Sequence, residues 1–366
     1  MKTVYNKDIV DFTRQPLFFG ADLNMQRYDV FRYPVLDKLN EKMQGLYWRP
    51  VEISLQKDRS DYQSFRPEQK FIFTKNLSYQ ILLDSVQGRG PETILQTYCS
   101  NPELEGCIIT WGFFEAIHSR AYTHIIKNVY PDASVIFDDV MKDQYIQKRA
   151  QSVTKYYDDF LLNARAYEIN DSIGNRERAK RALVKLIYNI NALEGLRFYS
   201  SFAVTFAFGE LKVMEGSAKN ISLIARDEIQ HLALTQHIIK IWQKGDDPEI
   251  LEILNEPGFT EEMRQMYADI LIEEKEWNIY MFSEGSIIGC NERLHNDYLD
   301  FISGRRLKAI GLEPIEKQTQ NPYPWTDHWL SSSGLQEAPM ETEKQSYLIG
   351  AIKADIDYNS FSNFSL

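Results

Sequence analysis

Residues 113–124 read FFEAIHSRAYTH, and Glu115, His118 and Tyr122 stand at i, i+3 and i+7, on one side of any helix that carries them. A carboxylate, an imidazole and a phenol there share a stripe with Ile108, Trp111 and Ile125, residues that call for burial. Three more apolar stripes are interrupted in the same way. Phe73, Leu77 and Ile81 lead to Asp84; Leu183, Ile187 and Ile190 lead to Glu194; Ile221 and Ile224 lead to Glu228 and His231. A buried carboxylate is costly unless it is paired or bound to a cation. Four carboxylates and two histidines on inward faces therefore need a shared positive charge.

The order also repeats. Asp84 precedes Glu115-x-x-His118 by 31 residues, and Glu194 precedes Glu228-x-x-His231 by 34. A single Glu-x-x-His is a common accident of helix surfaces; two copies, each one helix after a stripe-interrupting acid, are not. Two cations held close together need bridging carboxylates to screen their repulsion. Oxygen-rich ligands with one histidine per ion suit iron or manganese better than zinc. This pattern is the known signature of ferritin-like di-iron carboxylate bundles.

Tyr122 lies one turn beyond His118 on the same face. A tyrosine in an apolar stripe is ordinarily core, with its hydroxyl bonded nearby. Beside a metal pair it reads as a redox-active phenol, with Phe198, Phe202 and Ile224 expected to wrap it in side chains that resist oxidation. His124, His237, His295 and His328 have no ligand partner at helical spacing and are expected to be hydrogen-bonded or surface groups. Trp48 and Trp111 are expected in the core.

These residues need long helices to hold them. Apolar residues recur at three- and four-residue spacing over 67–87, 102–129, 176–208 and 216–243, and alternating strand patterns are scarce. SNPELEG at 100–106 is a helix start with Pro102 in the first turn, and QGRGP at 87–91 is a helix stop. The segment 164–178 reads as a polar connection between two halves. The expected organisation is an irregular arm over 1–30, an all-α domain over 31–330, and a flexible polar tail over 331–366.

Composition narrows the class. With 366 residues and 43% hydrophobic content the chain can bury a large core, and a net charge of −11 argues against nucleic acid as a partner. No apolar run approaches the roughly 18 residues of a membrane span, and the first 20 residues show no signal-peptide pattern. Cys99, Cys107 and Cys290 form no pair at a disulfide or metal spacing, which fits a reducing, cytoplasmic setting. QGRGP is not a phosphate-cradling loop, and no cysteine pair is placed to reduce a ribose.

Taken together, FFG at 18–20, WRPVE at 48–52, LLDSVQGR, EAIHSRAYTHII, NALEGLRFYSSFA, ARDEIQHL and the terminal SNFSL closely resemble the small, radical-generating subunit of class I ribonucleotide reductase, over nearly the whole chain. The resemblance implies a ferritin-like helical bundle, a homodimer, and a di-iron centre (manganese uses nearly the same ligands) on Asp84, Glu115, His118, Glu194, Glu228 and His231. It implies a stable radical on Tyr122, and a hydrogen-bonded link from Trp48 and Asp227 through His118. It further implies that Tyr347 passes the oxidising equivalent to a large subunit bound by the tail, with Glu52 and Glu341 as acids associated with that transfer. The competing expectation is a stand-alone ferritin-like oxidase or monooxygenase, which needs the same ligands but neither Tyr122, the Trp48–Asp227 pair nor a tail tyrosine.

Overall fold

The computed structural model describes residues 3–317 and 319–330. These residues form helices joined by short turns, with no strand beyond two isolated bridges, Phe18 with Cys99 and Ile287 with Cys290. The helices used below are α1 (Pro34–Gln44), α2 (Gln56–Ser64), α3 (Pro67–Gln87), α4 (Pro102–Val129), α5 (Gln144–Ile169), α6 (Ile173–Ala192), α7 (Phe198–Glu210), α8 (Glu215–Gln243), α9 (Phe259–Met281) and α10 (Glu292–Ala309).

Local chemistry sets the boundaries of the site-bearing helices. Asn101 caps α4, its side chain accepting from the Leu104 amide at 3.0 Å, and Pro102 occupies the first helical position. The start of α8 is capped from outside: Asp58, on α2, accepts from the backbone amides of Gly216 at 3.0 Å and Ser217 at 2.6 Å. α3 and α4 run antiparallel. Thr74 bonds the Tyr130 hydroxyl at 2.8 Å near one end, and Asp84 meets the Glu115–His118 turn near the other. α7 is buried on every side from Phe198 to Gly209, and its FYSSFAVTFAF is mostly apolar with small hydroxyls between.

Two expectations need correction. The segment 164–178 is not a connection: α5 continues to Ile169, only 170–172 turn, and Ser172 caps α6 by accepting from the Asn175 amide. The polar residues there sit on the outer face of a helix whose inward residue, Ala164, is buried, so exposure mimicked a loop. Nor is 176–208 one α-helix. It is α6 and α7 joined by a π-turn at Leu193–Arg197, and that turn carries Glu194. Residues 3–30 carry no helix beyond a short 3-10 turn at Phe12–Arg14, and they are fastened down. Phe18 is buried with its ring centroid 6.0 Å from that of Trp242, and the Phe19 amide bonds the Tyr98 carbonyl at 3.0 Å. The 331–366 tail lies outside the described residues.

Candidate metal centre

Asp84 comes from α3, Glu115 and His118 from α4, Glu194 from the π-turn, and Glu228 and His231 from α8. A π-turn inserts one residue into the helical rise and changes where the side chains on it point, a device frequent at functional sites. All six side chains are buried, and their ligand atoms form two groups, each with mutual distances within 4.8 Å. One group is Asp84, Glu115, His118 and Glu228; the other is Glu115, Glu194, Glu228 and His231. Glu115 and Glu228 belong to both, so they occupy bridging places. Asp84 with His118, and Glu194 with His231, are the separate ends.

Donors around the cluster fix which atoms are left over. Trp111 Nε1 donates to Glu115 Oε1 at 2.9 Å, and Gln87 Nε2 donates to Glu194 Oε1 at 2.7 Å. His118 Nε2 lies 3.2 Å from Asp227 Oδ2, the oxygen that also accepts from Trp48 Nε1 at 2.7 Å. That pairing puts the His118 proton on Nε2 and turns Nδ1 inward, 3.2 Å from Glu228 Oε1. Asp84 Oδ1 and Oδ2, Glu115 Oε2, His118 Nδ1, Glu194 Oε2 and Glu228 Oε1 are all buried without a hydrogen-bond partner. Six unpartnered acceptors converging in an apolar interior fit a pair of cations.

The electrostatics of the bare cluster agree. Burial, then the charges of Glu115 and Glu228, push Asp84 well above the usual carboxylate range. Burial and Glu228 do the same to Glu194. Burial works against charge on His118, but the carboxylates of Asp227, Glu115 and Glu228 that face it outweigh burial and raise its pKa well above normal. Glu228 is held below the usual range, because His231 and the donors around it overcome the cost of burial. Tyr122 is buried too. Burial, then the facing Asp84 carboxylate, raise its pKa well above 10. Phe198, Phe202 and Ile224 are fully buried.

Sequence reasoning did not single out Gln87 or give Trp111 a task, although both stand one turn from a candidate ligand, at Asp84+3 and Glu115−4. Of the other histidines, His124 bonds the Ile53 carbonyl at 3.1 Å and His295 bonds Ser200 at 2.9 Å. Glu52 is half-buried a few residues past Trp48, and Tyr347 and Glu341 lie outside the described residues.

Comparison with known proteins follows the same line. The family model for the ribonucleotide reductase small chain matches residues 26–322. The ribonucleoside-diphosphate reductase 1 subunit beta of Salmonella typhimurium is 42% identical over 375 residues, covering 100% of this chain and 99% of the relative. Among solved structures, the ribonucleotide reductase R2 subunit from Clostridium botulinum superposes with a TM-score of 0.76 at 25% identity, covering 90% of this chain and 99% of that one. A dimanganese(II) protein of Streptococcus sanguinis shares the fold, with a TM-score of 0.66 at 19% identity over 84% of this chain and 100% of its own.

Proposed function

The chain belongs to the ribonucleotide reductase small-chain family, and from that membership we propose how its residues work: they hold two iron ions and store an oxidising equivalent on Tyr122. As a small subunit of ribonucleoside-diphosphate reductase, an oxidoreductase, it acts with a large subunit. The observation that carries the reading is the overlap of two four-residue ligand groups in Glu115 and Glu228. Glu115 and Glu228, shared by both groups, would serve both ion positions; Asp84 and His118 would complete one, and Glu194 and His231 the other. Manganese would fit the same donors, and metal analysis of protein from its own host decides between them.

When bound, the metal pair supplies the power to reduce dioxygen and so to draw an electron from a phenol. The chain does the rest. Its apolar surroundings and Asp84 keep the Tyr122 hydroxyl protonated, so oxidation of the ring must also move that proton, and Asp84 is the facing acceptor. Trp48, Asp227 and His118 form a continuous hydrogen-bonded line that leads away from the ions. A stand-alone oxidase has no use for such a line, which favours the reductase subunit. Tyr347 is assigned the onward relay to the large subunit, with Glu52 and Glu341 assisting. We assign the exposed strip of Ile109 and Phe113, one turn apart on α4 with Tyr47 stacked on Phe113 at 5.9 Å, to a second copy of the chain. The cytoplasm suits three buried cysteines that form no disulfide.

Tyr122→Phe is the test. It removes a hydroxyl that makes no hydrogen bond, so fold and metal content should stay at wild-type levels. The radical spin signal and turnover with the large subunit should both vanish. Wild-type turnover would refute the assignment.

A further inference from the structure

Behind Glu194 a polar chain runs away from the ion positions through an otherwise apolar interior. Gln87 Nε2 donates to Glu194 Oε1 at 2.7 Å, and the Tyr157 hydroxyl donates to Gln87 Oε1 at 2.8 Å. All three side chains are buried. An ionised carboxylate can only accept hydrogen bonds. A metal-bound Glu194 therefore needs the amide nitrogen of Gln87 turned towards it, which leaves the Gln87 carbonyl oxygen facing the other way. That oxygen needs its own donor, and Tyr157, reaching in from α5, is the group that provides it. If the phenol hydroxyl were missing, a flipped amide would aim oxygen at oxygen.

We propose that Tyr157 is a positioning residue for the second ion position, acting through Gln87 to choose which oxygen of Glu194 is left for the metal. The chain occupies Oε1 and leaves Oε2, which has no partner, as the free ligand atom. The phenol is itself held in place by close approach. A Cβ on Gly90 would lie 2.2 Å from Tyr157 Cζ, so no side chain but hydrogen fits beneath the ring. The end of α3, the turn after it and α5 thus meet at one oxygen of one ligand.

The proposal rests on the two-ion reading, and its test separates the two. The full chain is titrated anaerobically with manganese(II), followed by spin resonance, which distinguishes free, single and coupled ions. Wild type should bind in two steps. Tyr157→Phe keeps the ring against Gly90, so one step should stay unchanged while the other weakens by roughly 10- to 100-fold. Gln87→Leu alone should show the same one-sided loss, which keeps the test available if Tyr157→Phe does not fold. In the Gln87→Leu background Tyr157→Phe should add nothing. Equal weakening of both steps, no weakening, or a full effect of Tyr157→Phe without Gln87 would overturn the relay and leave the ion pair standing. A wild-type chain that takes up no coupled pair would overturn the metal-centre reading, and the relay with it.

Discussion

Loading the centre should drive protons off the protein, and the structure says from which atoms. Four carboxylates and two imidazoles are enclosed together, and without cations they cannot all be ionised. Burial and neighbouring carboxylates keep Asp84 and Glu194 protonated far above their ordinary range. His118, despite burial, is pushed up by the neighbouring Asp227, Glu115 and Glu228. A carboxyl or imidazole that carries a proton on its ligand atom must give it up before that atom can take a metal, so protons should leave the protein when two divalent ions enter. Calorimetric titration in two buffers of different ionisation enthalpy counts them. Asp84→Asn, which has no proton to lose there, should release fewer.

The sign with pH follows. Asp84 and Glu194 have folded-state pKa values above their unfolded ones. Their contribution to the bare protein's stability is complete below the unfolded value, about 4, and is lost as pH rises through the folded value. His118 acts in the same direction from its unfolded value of about 6.5. Glu228, held low, works the other way, and only in acid. Bare protein should therefore lose stability as pH rises from about 4 towards neutrality while loaded protein does not, so stabilisation by metal should grow over that interval. Loading heats that do not depend on the buffer, or metal stabilisation that shrinks across it, would refute the charge assignment.

Three further outcomes are expected. Asp84→Ala should weaken mainly one ion position, whereas Glu115→Ala, at a shared ligand, should empty both; equal metal content in the two variants would argue against bridging. Arg197 is fully buried and paired with Glu274 at 2.5 Å and Glu273 at 2.6 Å, so Arg197→Met strands the buried Glu274 charge and should cost roughly 3–5 kcal/mol in denaturant unfolding. Removing residues 340–366 should spare metal and radical but abolish binding to the large subunit, and a peptide of roughly the last 20 residues should compete with the whole chain.

The stripes that announced the candidate ligands were legible because a charge on a buried face has few explanations, and a repeated one has fewer. Glu115, His118, Glu228 and His231 lie on long regular helices whose period can be read directly from the sequence. Glu194 was found by the same period, yet the helix that carries it breaks that period. The π-turn at Leu193–Arg197 leaves no mark in the pattern, since the residues on either side remain uniformly buried. What the extra residue accomplishes is visible only in three dimensions, where Glu194 faces Glu228 while Arg197, three positions on, faces Glu273 and Glu274 on α9. Asp58 was hidden for a different reason. It sits in a polar helix where an acid is unremarkable, and its partners are backbone amides 158 and 159 positions away. Those bonds complete the N-terminus of α8, the helix that delivers Asp227, Glu228 and His231 together. A ligand set can be read from side-chain types, but the registers that bring the ligands within reach of one another depend on backbone groups, which every residue but proline has in the same form.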